Sequence, residues 1–385
     1  MSLRRDLSLS RAPALAFASM GVLWGSFAAF VPDLKAEIGA SDALFGMILS
    51  VSAIGLMSAM LVAPALDRRL AERAMPAGAL FLGIGFLFPG VAGVPMSFAM
   101  AMLWVAFASG LLDIVMNARV SELEASEQRS LMNLNHAMFS FAYAASAFVT
   151  GVVRAAELPP FMMFAGLLAL ISLASRWMRM PVVEADADNP KGLGYPLGAV
   201  VLGGIVVMIA FMTEAASESW SALHVERSLG GNAMQGALGP TMLGLTMGVG
   251  RLTGQLISER VDNAVLIGMA AILSSCGAFL AAAATTPTQA YLGFGILGLG
   301  VSVIAPTALA MVGQSVGPGP RTHAISRTAV IGFSGFFIGP PLMGLMSEFA
   351  GLPTAFMVIG GLLIVSLIPI ALLKGLRRAA RGEPF

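Results

Sequence analysis

The chain has 385 residues, of which 57% are hydrophobic and 11% charged, with a net charge of +1 and a mean hydropathy of +0.85. A water-soluble domain carries about 25% charged residues, so water is excluded as the solvent for most of this surface, and lipid is the medium that tolerates it. No basic stripe is available to neutralise phosphates, which argues against nucleic acid, and the lone Cys276 permits no internal disulfide and suggests no metal site.

Crossing ~30 Å of hydrocarbon takes about 20 apolar residues. Apolar runs fall near 12–34, 43–66, 74–93, 96–118, 132–153, 160–180, 196–222, 235–257, 263–284, 287–312, 325–347 and 352–373. Divided among twelve spans, 385 residues leave about 32 for each span and its loop, with almost no extramembrane domain. Arg4-Arg5 and Ala16-Phe17-Ala18 imitate a secretory signal, but the tripeptide lies near the beginning of a run that continues to Val31, so this segment reads as a retained first helix.

All but Lys35, Arg154 and Arg227 of the 22 basic residues fall on one side of such a topology, Arg251 being counted there as a residue near a helix end. The positive-inside rule makes that side cytoplasmic and puts both termini on it. The polar stretch between Pro181 and Pro190 reads as a cytoplasmic linker, 181–194, dividing the chain into bundles 1–180 and 195–385. The halves resemble each other: Leu34-Lys35-Ala36-Glu37-Ile38-Gly39-Ala40-Ser41 after the first run pairs with Val225-Glu226-Arg227-Ser228-Leu229-Gly230-Gly231-Asn232 after the seventh. Asp67-Arg68 after the second run likewise pairs with Glu259-Arg260 after the eighth. Duplicated bundles of this kind suit a carrier that rocks about a midplane site.

At this point the chain resembles the major facilitator superfamily. In that family the loop after the second helix approximates Gly-x-x-x-Asp-Arg-x-Gly-Arg-Arg. Here Ala63-Pro64-Ala65-Leu66-Asp67-Arg68-Arg69-Leu70 keeps the Asp-Arg core and replaces both glycines. Gly250-Arg251-Leu252-Thr253-Gly254 through Glu259-Arg260 is its degenerate counterpart. Leu112-Asp113-Ile114-Val115-Met116-Asn117, Met132-Asn133-Leu134-Asn135-His136-Ala137-Met138-Phe139-Ser140 and Glu214-Ala215-Ala216-Ser217-Glu218-Ser219-Trp220-Ser221-Ala222 resemble a bacterial branch near the fucose permeases. The resemblance implies an all-α membrane protein: twelve transmembrane helices in two pseudo-symmetric six-helix bundles, both termini cytoplasmic, in a bacterial inner membrane. It also implies transport of a small solute. The expected partners are the bilayer, a small-molecule substrate and protons. No cofactor, metal or nucleic acid is expected, and the working unit is a monomer.

An ionisable side chain at mid-bilayer costs ~2.5–3.5 kcal/mol on translocon scales and persists where it faces protein or water. Asp113 in the fourth run has Asn117 one turn later on the same face, and no cation in its own helix. Asp113 is therefore the candidate for proton exchange, and the bland reading is a helix-packing hydrogen bond. The fucose permeases also have a fourth-helix carboxylate for proton coupling, whereas their first-helix acid has no counterpart between Ala12 and Val31. In the fifth run Asn133, His136, Ser140 and Tyr143 form one helical stripe. The run lacks the Gly-Pro pattern of drug antiporters. His136 suits pairing with Asp113 or holding a substrate oxygen, against a packing role between the fourth and fifth helices.

Glu214, Ser217, Glu218 and Ser221 share a face of the seventh run. Measured from Pro196 at 1.5 Å per residue, Glu214 is expected near the outer end and Glu218 a turn further, where solvation is its plain alternative. Two acids there suit a cationic or hydroxylated solute, or a coupling cation. Trp24 in the first run is a candidate ring for a sugar face or an organic cation. Asp67, Arg68, Glu259 and Arg260 read as gate elements, charges at helix ends that pair between helices at the cytoplasmic face. Gly332-Phe333-Ser334-Gly335 spells the GxSG of an intramembrane protease, but that chemistry needs a histidine within reach and leaves the doubled architecture unexplained.

Overall fold

The computed structural model describes residues 3–181, 197–258, 260–316 and 321–380, and every regular element among them is helical. A short helix α1 (Leu3–Leu9) precedes α2 (Arg11–Glu37), α3 (Asp42–Leu70), α4 (Ala74–Leu87), α5 (Pro95–Glu127), α6 (Met132–Ala155) and α7 (Pro160–Ala174). After the linker, which falls almost wholly outside the described residues, come α8 (Leu197–Leu223), α9 (Ala233–Ser258), α10 (Asn263–Ala282) and α11 (Pro287–Gln314). The last are α12 (Arg321–Val365), broken by Gly351 at φ 82°, and α13 (Leu367–Ala380). Each apolar run of the sequence coincides with a helix, the final one being shared between the end of α12 and α13. Among the described residues eight helical stretches are long and apolar enough to cross a membrane. Two of these, Asp42–Val91 and His323–Arg377, each run through a turn between two helices.

Local chemistry sets the turns. Gly39 (φ 61°) and Gly230 (φ 67°) hold the left-handed conformation that ends a helix, at equivalent places in the sequence repeat. Each is followed by a cap. The Ser41 hydroxyl accepts from Leu44 N–H at 3.2 Å, and Asn232 and Gln235 exchange side-chain-to-backbone bonds at 2.9 Å, a reciprocal helix start.

Helices α2 to α7 pack on one another, as do α8 to α13, and two main seams join the sets, α3 against α12 and α6 against α9, with α2 also touching α8 and α9. Both seams run through small residues. A Cβ on Gly46 would strike the Pro340 carbonyl, one on Gly344 the Asp42 carbonyl, and one on Gly151 the Ala237 methyl. Close backbone approach through small residues is what substitutes for hydrophobic driving force between helices in lipid.

The two ends of the molecule differ. One end carries the chain termini, where Asp6 pairs with Arg129, Asp262 with Arg377 at 2.7 Å, and Met180 N–H bonds the Glu72 carbonyl at 3.4 Å. Every one of these ties lies within one helix set. The opposite end, where α2, α6 and α8 finish and α3 and α9 begin, is bridged between sets.

Candidate functional site

Mid-depth polar side chains from both helix sets converge at the α6–α9 seam. On α5, Asn117 donates its amide to the Asp113 carboxylate at 2.9 Å and to the Asp113 backbone carbonyl at 2.8 Å. The Asn117 amide oxygen faces Nε2 of His136 on α6 at 3.2 Å. Because that amide donates towards Asp113, its oxygen is the acceptor and Nε2 carries the proton. The edge of the imidazole also meets Phe17 of α2, ring centres 4.8 Å apart.

Arg251 of α9 completes the bridge. Its guanidinium donates to the Ser140 hydroxyl at 2.5 Å, the His136 carbonyl at 3.3 Å and the Glu214 carboxylate of α8 at 2.9 Å, and lies 5.9 Å from the Phe139 ring centre. Both members of the Arg251–Glu214 pair are largely shielded, 11% and 14% exposed. Two expectations are corrected here. Arg251 does not join the surface charges of the terminal end: its side chain turns inward across the seam to a carboxylate. Nor is Glu214 near the outer end, because the helical path of α8 continues through a π-turn, His224–Ser228, and leaves Glu214 near the middle. The signal for Arg251 was available, since it stands inside the run 235–257 rather than after it.

A cavity of about 220 Å³ reaches this network from the terminal end, lined by Asn133, Arg251, Ser258, Ser302, Thr307 and Gln314. Beside the Arg251–Glu214 pair, Tyr143, Ser217 and Ser221 are buried with hydroxyls that have no partner; the Trp220 indole N–H is also unpartnered but faces Phe45 of α3 on another side of α8. Glu218 is half-buried.

The opposite end is closed by ion pairs that sequence reasoning missed. Arg154, at the end of α6 and 2% exposed, grips Asp33 of α2 with two bonds of 2.6 and 2.7 Å. It also bonds Glu226 of the π-turn at 2.6 and 3.2 Å. Arg227 donates to both Asp42 oxygens at 2.7 and 2.6 Å. Asp42 is held also by Lys35 at 2.8 Å and by the Ser347 hydroxyl of α12. The odd charges on that side of the topology, Lys35, Arg154 and Arg227, are the visible trace of this lock.

Other candidates sit elsewhere. Trp24 donates to Ser109 of α5 at 3.1 Å and packs edge-on against Phe27 and Phe86, so it ties α2 to its own set. Asp67 pairs with Arg119 of α5 at 2.5 Å, again within one set, while Arg68 and Arg260 are exposed. Glu259 lies outside the described residues. Asn133 lines the cavity. Ser334 donates its hydroxyl to the Ile331 carbonyl at 2.6 Å, His136 faces Asn117 and His224 faces the Ala281 carbonyl at 2.9 Å, so the GxSG match is helix packing.

A sequence profile described as Major Facilitator Superfamily matches residues 200–384. An uncharacterized MFS-type transporter of Yersinia pestis is 27% identical over 364 residues, covering 91% of this chain and 92% of that protein. Among solved structures, a bacterial homologue of the human lysosomal transporter Spinster, inward-facing and occupied, superposes over 100% of this chain and 98% of its own. Its TM-score is 0.74 and its identity 12%. The chain is thus similar to major facilitator superfamily transporters in sequence profile and in fold. A D-xylose–proton symporter shares the fold with TM-score 0.74 at 13% identity, over 96% of this chain and 97% of that one. These likenesses support a multi-pass membrane protein of the secondary-transporter class rather than an enzyme, acting in a lipid bilayer on a small molecule.

Proposed function

We propose that this transporter moves a small polar organic solute across a bacterial inner membrane by alternating access, coupled to protons through Asp113. In this reading the chain crosses twelve times, with bundles 1–180 and 195–385 joined by the linker 181–194. The termini are cytoplasmic, and a monomer is the working unit. The terminal cavity is then the cytoplasmic mouth, and the state described is inward-facing.

One observation carries the reading. The chain Asp113–Asn117–His136 ends on the helix whose Ser140 and His136 carbonyl hold Arg251, which in turn holds Glu214 of the other bundle. Protonating Asp113 makes one of its oxygens a donor while the other still accepts. The Asn117 amide then loses the negative charge that strengthened its bond, which loosens its hold on His136 and the seam behind it. A local charge change thereby biases a two-state arrangement of bundles. The likeness to a fold neighbour described as a D-xylose–proton symporter supports the same class of coupling.

Asp113→Asn tests this in proteoliposomes. The expected result is loss of pH-driven accumulation, with solute counterflow retained within about threefold. Accumulation that survives the substitution makes Asp113 a packing residue and the protein a facilitated-diffusion or efflux carrier.

A further inference from the structure

We propose that the solute is an organic cation, a protonated amine that also bears hydroxyl groups, and that Glu218 is the carboxylate that receives its charge. This rests on the carrier reading above and names the substrate class of the same pathway.

The two glutamates of α8 stand one turn apart in different circumstances. Glu214 is occupied by Arg251, whereas Glu218 is half-buried and makes no hydrogen bond or ion pair among the described residues. Few bases are near enough to neutralise it. Arg251 already spends its donors on Glu214, Ser140 and the His136 carbonyl. Arg327 is exposed, less than two turns into α12, while Glu218 lies nearly six turns into α8 from the same end. A carboxylate kept in the interior without a partner is costly, and a cationic ligand removes that cost each time it binds.

The surroundings add hydrogen-bonding capacity without further charge. The Tyr143, Ser217 and Ser221 hydroxyls belong to side chains at most 1% exposed, and none has a partner. Tyr143 lies within electrostatic reach of both Glu218 and Glu214, and Ser217 and Ser221 share the glutamates' side of α8. Buried polar groups are normally paired. Several unpaired ones around one unpaired carboxylate form a built receptor, whose missing elements are one positive charge and hydroxyl or ether oxygens able to accept and donate. An anion would meet two carboxylates with the nearby arginine already engaged. A neutral polyol would satisfy the hydroxyls but supply no charge, so Glu218 would have to take up a proton instead.

Matched amine and neutral probes separate these possibilities: D-glucosamine against D-glucose, ethanolamine against ethylene glycol, and citrate as the anionic control. Thermal unfolding of the purified full chain is followed at pH 7, since a ligand of the folded state raises the melting temperature in proportion to its affinity. The expected result is stabilisation by an amine and not by its neutral twin, at least tenfold weaker in Glu218→Gln and partly kept in Glu218→Asp. Tyr143→Phe, a near-isosteric change that spares the fold, is expected to weaken the amine severalfold. Equal binding of amine and neutral twin, or binding of citrate alone, overturns the substrate class. Amine binding unchanged in both Glu218→Gln and Tyr143→Phe overturns the assigned receptor and leaves the carrier reading, judged by accumulation through Asp113, intact. Stabilisation by no probe together with absent accumulation removes both.

Discussion

The closed end and the middle of the molecule bury charge for different ends. At the closed end Arg154 and Asp42 are saturated: Arg154 has Asp33 and Glu226, and Asp42 has Lys35, Arg227 and Ser347. At mid-depth the chain from Asp113 to Glu214 is bonded link by link, but beside it lie Glu218 and several hydroxyls without partners among the described residues. Desolvating a charge is expensive wherever it occurs. Where pairing is complete, the arrangement holds one state together. Where it is left incomplete, the deficit is available to a solute, and the structure stays poised to change when one arrives.

The largest expected effect comes from removing the cation at the centre of the mid-depth network. Arg251→Ala leaves Glu214 shielded and unpaired and releases Ser140 and the His136 carbonyl across the seam. Losing one partner of a buried pair costs roughly 3 kcal/mol, so transport in proteoliposomes is expected to fall by more than about 100-fold. Adding Glu214→Gln removes the orphaned charge and is expected to restore the melting temperature but not transport. If the double variant transports normally, the pair is a structural tie and the contrast between closed end and middle is lost.

The architecture was legible because bilayer thickness imposes it: each apolar run coincides with a helix, and the repeated Gly39 and Gly230 both hold the left-handed turn. Part of the site was legible for a related reason. Asp113, His136, Glu214 and Glu218 interrupt oily segments, and lipid punishes such interruptions unless they face inward. What the sequence did not show was who meets whom. The Arg251–Glu214 pair spans α9 and α8 through a seam that only packing creates, and a long cation near a helix end usually snorkels to water. Trp24 looked like a binding ring, but its N–H had a partner one helix away, in Ser109. Helical spacing gives faces, not depths, so Glu214 was set too far out until the continuation of α8 to Ser228 was known.

An intermediate effect is expected at the closed end. Arg154→Ala frees Asp33, already 44% exposed, and Glu226, 19% exposed, so water takes up part of the loss. The change in the balance between closed and open is therefore put at about 1–2 kcal/mol, around tenfold in population. Ala29, packed between Ala147 and Ala237 in the α2–α6–α9 contact, supplies the reporter. In a Cys276→Ser background, Ala29→Cys is expected to react with an impermeant maleimide from the closed side about ten times faster once Arg154 is gone. An unchanged labelling rate means that the small-residue seams, not the ion pairs, hold that end shut.

The smallest effect sharpens the same contrast from the other direction. Ser347 donates to Asp42 across the α3–α12 seam, yet Asp42 keeps Lys35 at 2.8 Å and two bonds from Arg227 when the hydroxyl is deleted. A saturated acceptor loses little by losing one of several donors, because no charge is left bare. Ser347→Ala is therefore expected to shift the balance by under about 1 kcal/mol, at most about fivefold in the same labelling assay. Tyr143→Phe removes one hydroxyl too, but from a group with no protein partner, and its effect is expected only when an amine is present. A Ser347→Ala effect as large as that of Arg154→Ala would mean that the closed end is held by a single geometry rather than by redundant pairing.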